Sequence, residues 1–183
     1  RRQRQMCIRD RDIQEELYRG KKRTEIHKMP ARRQGRQKHR GRNGGEQGKA
    51  TDVLDILKKL YEAKYPIERM RLIDYWDADD ERAMRANNSS SFNFRFISHT
   101  HTVSKHGRGL AVDINTLYNP YHKRLKNGKE VVEPATARPY LDRSKNHAYM
   151  IKKGDLCYRL FKAKGFRWGG DWKRSKDYQH FEK

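Results

Sequence analysis

Ser104-Lys-His106-Gly-Arg-Gly109-Leu-Ala111-Val-Asp113 carries one histidine and one carboxylate, separated by two glycines. Asp177-Tyr-Gln-His180, near the end of the sequence, supplies a second histidine with an acid three residues before it. Two imidazoles and one carboxylate make a three-ligand zinc site with a free fourth position, the pattern of catalytic rather than structural zinc. His106, Asp113 and His180 are therefore the candidate ligands, and the spare Asp177 is the candidate general base. The chemistry implied is metal-assisted hydrolysis.

The His106–Asp113 spacing fits neither one helix face nor one straight strand. Gly107 and Gly109 allow a tight bend between the histidine and a strand bearing Asp113. In that strand Ala111 and Asp113 share one face, while Val112 and Ile114 share the other. Asp177 and His180 would face opposite sides of a regular strand, which places Asp177 in the loop before it. A zinc ion so held lowers the pKa of its water to about 7 and polarises a scissile carbonyl, leaving Asp177 to shuttle the proton. Arg95 is a candidate to steady the oxyanion or grip a substrate carboxylate. The other histidines, His99, His101, His122, His147, His27 and His39, have the bland reading of solvated or hydrogen-bonded side chains.

With 183 residues the chain has room for one domain with a proper core. Its net charge of +21 is unevenly distributed, because residues 1–50 hold 17 Lys/Arg against 6 Asp/Glu. No apolar run of about 18 residues exists, so membrane insertion is not expected. Cys7 and Cys157, the two cysteines, exclude a disulfide framework and a cysteine zinc cage. Cys157 belongs to an apolar helical stripe and reads as a small core residue.

Residues 1–48 divide from residues 49–183. The start, with Gln5-Met-Cys-Ile-Arg-Asp10, resembles the translation of a sequencing adapter, and the following run to Gly48 is arginine-rich and nearly free of aliphatic side chains. Such a segment buries too little apolar surface to offset its ordering entropy, which predicts a disordered, artefactual leader. The competing reading is a basic arm that binds polyanions through counterion release.

Beyond Gly48 the periodicity is clean. Thr51 is a plausible N-cap for a helix carrying Val53, Ile56, Leu57, Leu60 and Tyr61, stopped before Pro66. Met70 to Ile73 reads as a short buried strand, and Asp77-Ala-Asp-Asp-Glu-Arg82 as a turn leading into a short helix or loop. Phe92, Phe94 and Phe96 alternate along a half-buried strand, with Arg95 on its other face. Asn119-Pro120 and Gly128 mark a hairpin region, Pro134–Arg143 is irregular, and a helix from about Asp142 or His147 is possible. A further helix near Asp155 presents Leu156, Cys157, Leu160 and Phe161 and ends at Gly165. Trp168-Gly-Gly-Asp-Trp172 reads as a turn and Tyr178–Glu182 as a final strand. The mixture is α+β: a small antiparallel sheet with flanking helices and a zinc site in a cleft.

Ser104-x-His106-x-x-Gly109-x-Ala111-x-Asp113, Trp168-Gly-Gly170 and Asp177-x-x-His180 together resemble the zinc peptidases of bacterial cell-wall metabolism. These are the VanY-type D-alanyl-D-alanine carboxypeptidases and their L-alanyl-D-glutamate endopeptidase relatives, and Asn88–Arg95 looks like that family's arginine-bearing strand. The resemblance spans roughly residues 50–183, although its members carry strand-like sequence ahead of the first helix that is replaced here. It implies Zn2+ on His106, Asp113 and His180, Asp177 as base, Arg95 assisting, and Ser104, Trp168 and Trp172 lining the substrate cleft. It further implies a peptidoglycan stem peptide as partner, a location in the cell envelope or outside the cell, and a monomer without a specific nucleic-acid partner. A non-catalytic zinc-binding module, as in the related Hedgehog signalling domain, is the competing reading. An acid at position 177 argues against it.

Overall fold

The computed structural model describes residues 44–93, 96 and 101–183, with only the backbone for 44–49. Residues 1–43, which hold most of the leader, lie outside the described residues. Helix α1 (Gly44–Glu62) turns Val53, Ile56, Leu57 and Leu60 inward, while Tyr61 is exposed. It begins upstream of Thr51, because Glu46, Gln47, Lys49 and Ala50 are good helix formers and no proline interrupts the ladder, although Gly48 lies within it. Helix α2 (Asp80–Arg85) is capped by Asp79, whose side chain accepts from Arg82 N. Helix α3 (Leu156–Ala163) is capped by Asp155, whose Oδ1 accepts from Tyr158 N at 2.8 Å, and the chain leaves it through Gly165 at φ 81°.

The described residues form two three-stranded antiparallel sheets rather than one. The six strands are β1 (Ala111–Asp113), β2 (Tyr121–Arg124), β3 (Glu130–Glu133), β4 (Arg167–Trp168), β5 (Lys176–Asp177) and β6 (His180–Glu182). One sheet has the order β1-β6-β4 and the other β3-β2-β5. The α+β expectation holds at this level.

The core lies between α1, α3 and the inner face of the first sheet, where Val112, Ile114, Phe161, Phe166, Trp168 and Phe181 meet. Phe161 and Phe181 stack at 4.1 Å between ring centroids, both fully buried. Truncating either to alanine costs about 3–5 kcal/mol. Cys157 is fully buried in the same cluster, and burial pushes its thiol pKa up, which suits packing and not nucleophilic chemistry.

Further expectations are corrected. Met70–Ile73 is not a strand: the Asn88 side chain takes both the N–H and the carbonyl of Arg71, so a buried amide stands where a neighbouring strand would be. Ile73–Trp76 then turns as a 3-10 helix. No helix starts at Asp142 or His147, because the Arg143 guanidinium draws the carbonyls of Tyr118, Tyr140 and Ile151 together into an irregular loop. Phe92 is buried but Phe96 is exposed and bridges to Val103, so the alternation does not bury one continuous face. Phe94 and Arg95 lie outside the described residues.

The last correction bears on the site. Tyr178–Glu182 is not one strand. Asp177 pairs with Tyr121 of β2, whereas His180 pairs with Asp113 of β1. Tyr178 and Gln179 carry the chain between the sheets, with Tyr178 N donating to Pro120 O and Gln179 O accepting from Ile114 N. Asp177 thus sits on a strand of its own and not in a loop.

Candidate metal centre

Strand alternation and register bring the ligand candidates together. Asp113 and His180 are direct cross-strand partners between β1 and β6, so their side chains leave the sheet side by side. Phe181, between His180 and Glu182, points the other way into the core and anchors the strand. His106 comes from a 3-10 turn (His106–Arg108) that Gly109 reverses at φ 67°. That left-handed conformation is cheap only for glycine, so the expected bend is present and Gly109 makes it. Ser104 Oγ accepts from Gly107 N at 3.1 Å, which holds the turn from beneath.

The three residues are 4%, 6% and 7% exposed, and their donor atoms all lie within 4.8 Å of one another. His106 Nε2 is 3.1 Å from His180 Nδ1 and 3.2 Å from Asp113 Oδ2, and His180 Nδ1 is 2.9 Å from Asp113 Oδ1. The outward nitrogens are also held. His106 Nδ1 lies 2.9 Å from the Ser91 carbonyl, and His180 Nε2 lies 3.6 Å from Glu182 Oε2. Partners of this kind fix the tautomer and ring orientation of ligating histidines. A cation fits this set: three donors converge on one point, with the far side of each ring already held by an oxygen.

Asp177 completes the group from the other sheet. Its Oδ1 is buried without a hydrogen-bond partner. Burial pushes this carboxyl up to about 7; Asp113 pushes the same way, while His180 and His106 pull it down. A base with that affinity is suited to proton transfer near neutrality. The backbone of Gly169 packs directly on it: a Cβ there would lie 2.5 Å from Asp177 O and 2.7 Å from Asp177 Cβ. The first glycine of Trp168-Gly-Gly170 is therefore needed for close approach.

The remaining charges follow from burial and pairing. Burial works to push Asp113 up, but the charge and hydrogen bond of His106 and the hydrogen bond of His180 hold it well below the usual carboxylate range. Burial works to lower His180, and its hydrogen bonds to Asp113 and Glu182 outweigh that and raise it to about 10. Its hydrogen bond to His180, against the effect of burial and with help from Arg167, brings Glu182 down to about 2.

Of the other sequence candidates, Trp172 lies near the group, its ring 5.5 Å from that of His180. Trp168 is buried in the core, its Nε1 donating to Tyr178 O. Ser104 supports the His106 turn. His101 and His147 are exposed, and His147 stacks on Tyr118 at 4.2 Å. Arg95 and His99 lie outside the described residues. Glu182 and the Ser91 carbonyl stand outside the residues that the motifs single out. Period-two spacing from His180 was the available signal for Glu182, whereas a carbonyl leaves none.

A buried His–Asp–His cluster, with an unsatisfied oxygen of the Asp177 carboxyl coupled to it, is a group that could hold a metal ion. Residues 98–183 match the family model described as D-alanyl-D-alanine carboxypeptidase. No solved structure matches the chain. The match begins after α1 and after Arg95, so it is shorter than the span the motifs suggested.

Proposed function

We propose that the protein is a zinc peptidase that hydrolyses peptidoglycan stem peptides, acting as a D-alanyl-D-alanine carboxypeptidase from a cleft at the His106–Asp113–His180 cluster. The observation that carries this reading is the pairing of three converging donors with a buried, unsatisfied Asp177 oxygen in a segment that matches a peptidase family. His106 through Nε2, His180 through Nδ1 and Asp113 would hold the ion. When bound, zinc acidifies a water and polarises the carbonyl under attack.

The chain's own residues do the rest. Asp177 accepts the proton of the attacking water at Oδ1 and returns it to the nitrogen of the departing amine. Glu182 and Ser91 O hold the two imidazoles in the neutral tautomers that ligation needs. Arg95 is assigned to the oxyanion or the substrate carboxylate, and Trp172 to one wall of the cleft. Action on peptidoglycan places the working protein, as a monomer, in the cell envelope or outside the cell. Among the described residues no helix is long and apolar enough to cross a membrane.

Mass spectrometry of a disaccharide-pentapeptide incubated with the full chain, with and without a zinc chelator, tests this. Chelator-sensitive loss of one alanine is the expected result. Cleavage between L-alanine and D-glutamate would reassign the enzyme as the endopeptidase. No cleavage by folded, zinc-loaded protein would favour a binding module.

A further inference from the structure

Strand β5 has two faces. Asp177 turns to the metal cluster, and Lys176, the residue before it, turns to the opposite side, as strand alternation requires. There it lines a separate hollow of about 480 Å³, a volume within the range of small-molecule sites. Lys152, Lys153 and Arg143 contribute further cations to the wall, and the Trp168 and Tyr178 rings contribute apolar surface, with buried Ile151 behind them.

The hollow's charge is not cancelled from within. Its one carboxylate, Asp171, is engaged elsewhere, with Lys162 Nζ at 3.8 Å and the Tyr158 hydroxyl at 3.4 Å. Lys176 Nζ gives one hydrogen bond to Gly170 O, and Lys152 Nζ one to Asn146 Oδ1. An ammonium has three donors, so each of these lysines keeps two. Lys153 is exposed and makes no hydrogen bond or ion pair among the described residues. Arg143 is committed to carbonyls and lies over the Tyr178 ring at 4.4 Å, so it adds charge and rigidity rather than free donors.

Compact ammonium groups around a concave, partly apolar floor suit a multiply charged oxyanion such as phosphate, which lysine binds as a point charge. We infer that this hollow, on the far side of β5 from the metal cluster, is a binding site for a phosphate group, either free or within a polyol phosphodiester. It would hold the protein on a phosphate-bearing surface or polymer while the other face of β5 works on a different ligand.

Calorimetric titration of the full, metal-free chain with inorganic phosphate and with glycerophosphoglycerol, at about 0.15 M salt to screen diffuse attraction, tests this. Saturable binding is expected to weaken about tenfold or more in the K152A/K153A double variant. It should be unchanged in K123A/K126A, which removes the same charge from the exposed β2–β3 hairpin. The single substitution Lys153→Glu, at an exposed position, guards against misfolding and should weaken binding in the same direction. Binding of phosphate alone identifies the free anion as ligand, and comparable binding of the diester identifies a polymer. Absence of saturable binding, or equal losses in the two double variants, overturns the proposal.

Discussion

Strands β1 and β6 are buried along their whole length, whereas β2 and β3 leave Lys123, Arg124, Glu130 and Glu133 in solvent. The buried pair carries Asp113 and His180, and the exposed sheet carries Asp177 on its edge strand β5. Donors that must converge within a few ångströms are thus set by the best-packed part of the molecule, backed by Phe181 against Phe161. The carboxyl that must change its protonation is attached from a different sheet. On the proposed reading, ion holding and proton transfer rest on separate elements, and substitutions should separate them.

The largest effect is expected where the buried sheet is broken. His106→Ala and His180→Ala should each abolish stoichiometric metal in elemental analysis, and full occupancy in either variant would sink the ligand assignment. Asp177→Asn sharpens the contrast from the other sheet. It should keep the metal and lower turnover by about 10²- to 10⁴-fold, the usual contribution of a positioned acid–base group. Retained turnover would remove Asp177 from the chemistry.

Glu182→Gln should weaken metal affinity by about 10- to 100-fold in chelator competition while sparing turnover at saturating metal. An unchanged affinity would show that Glu182 does not orient His180.

The smallest effect is a pH dependence of the metal-free protein. His180 is raised to about 10 from 6.5, so the stability it contributes is complete below pH 6.5 and is lost as pH climbs through 10. Asp177, raised to about 7 from 3.8, likewise favours the protonated form, and its contribution falls away as pH rises through 7. Melting temperature without metal should therefore drop by about 5 °C or more between pH 6 and pH 10. Zinc affinity should rise over the same interval, because a ligating histidine must be free of its proton. A flat or rising melting curve would contradict the His180–Asp113 pairing.

Part of the candidate site was legible in the chain because two histidines and two acids fall in short motifs, and His106 is followed by glycines with a definite backbone task, as Gly109 at φ 67° shows. The capping of α3 by Asp155 and the burial of Cys157 and Phe161 were equally legible from periodicity. What escaped were the polar residues that act through tertiary partners. Asn88 replaces a strand beside Arg71, and Asn115, at φ 49°, donates to the Pro66 carbonyl at 2.7 Å; neither contact leaves a local sequence pattern. Arg143 gathers the carbonyls of Tyr118, Tyr140 and Ile151, a convergence that no local pattern announces.

By itself the sequence determined the α+β class, the helices α1 and α3, and which two histidines and which aspartate to bring together, because these depend on residue type and near-neighbour spacing. Only the tertiary structure decided that Asp177 and His180 belong to different sheets, that Glu182 stands behind His180, and that Lys176 faces a second hollow. Those facts depend on which strand pairs with which. Pairing is set by the packing of the whole core and not by the residues that use it.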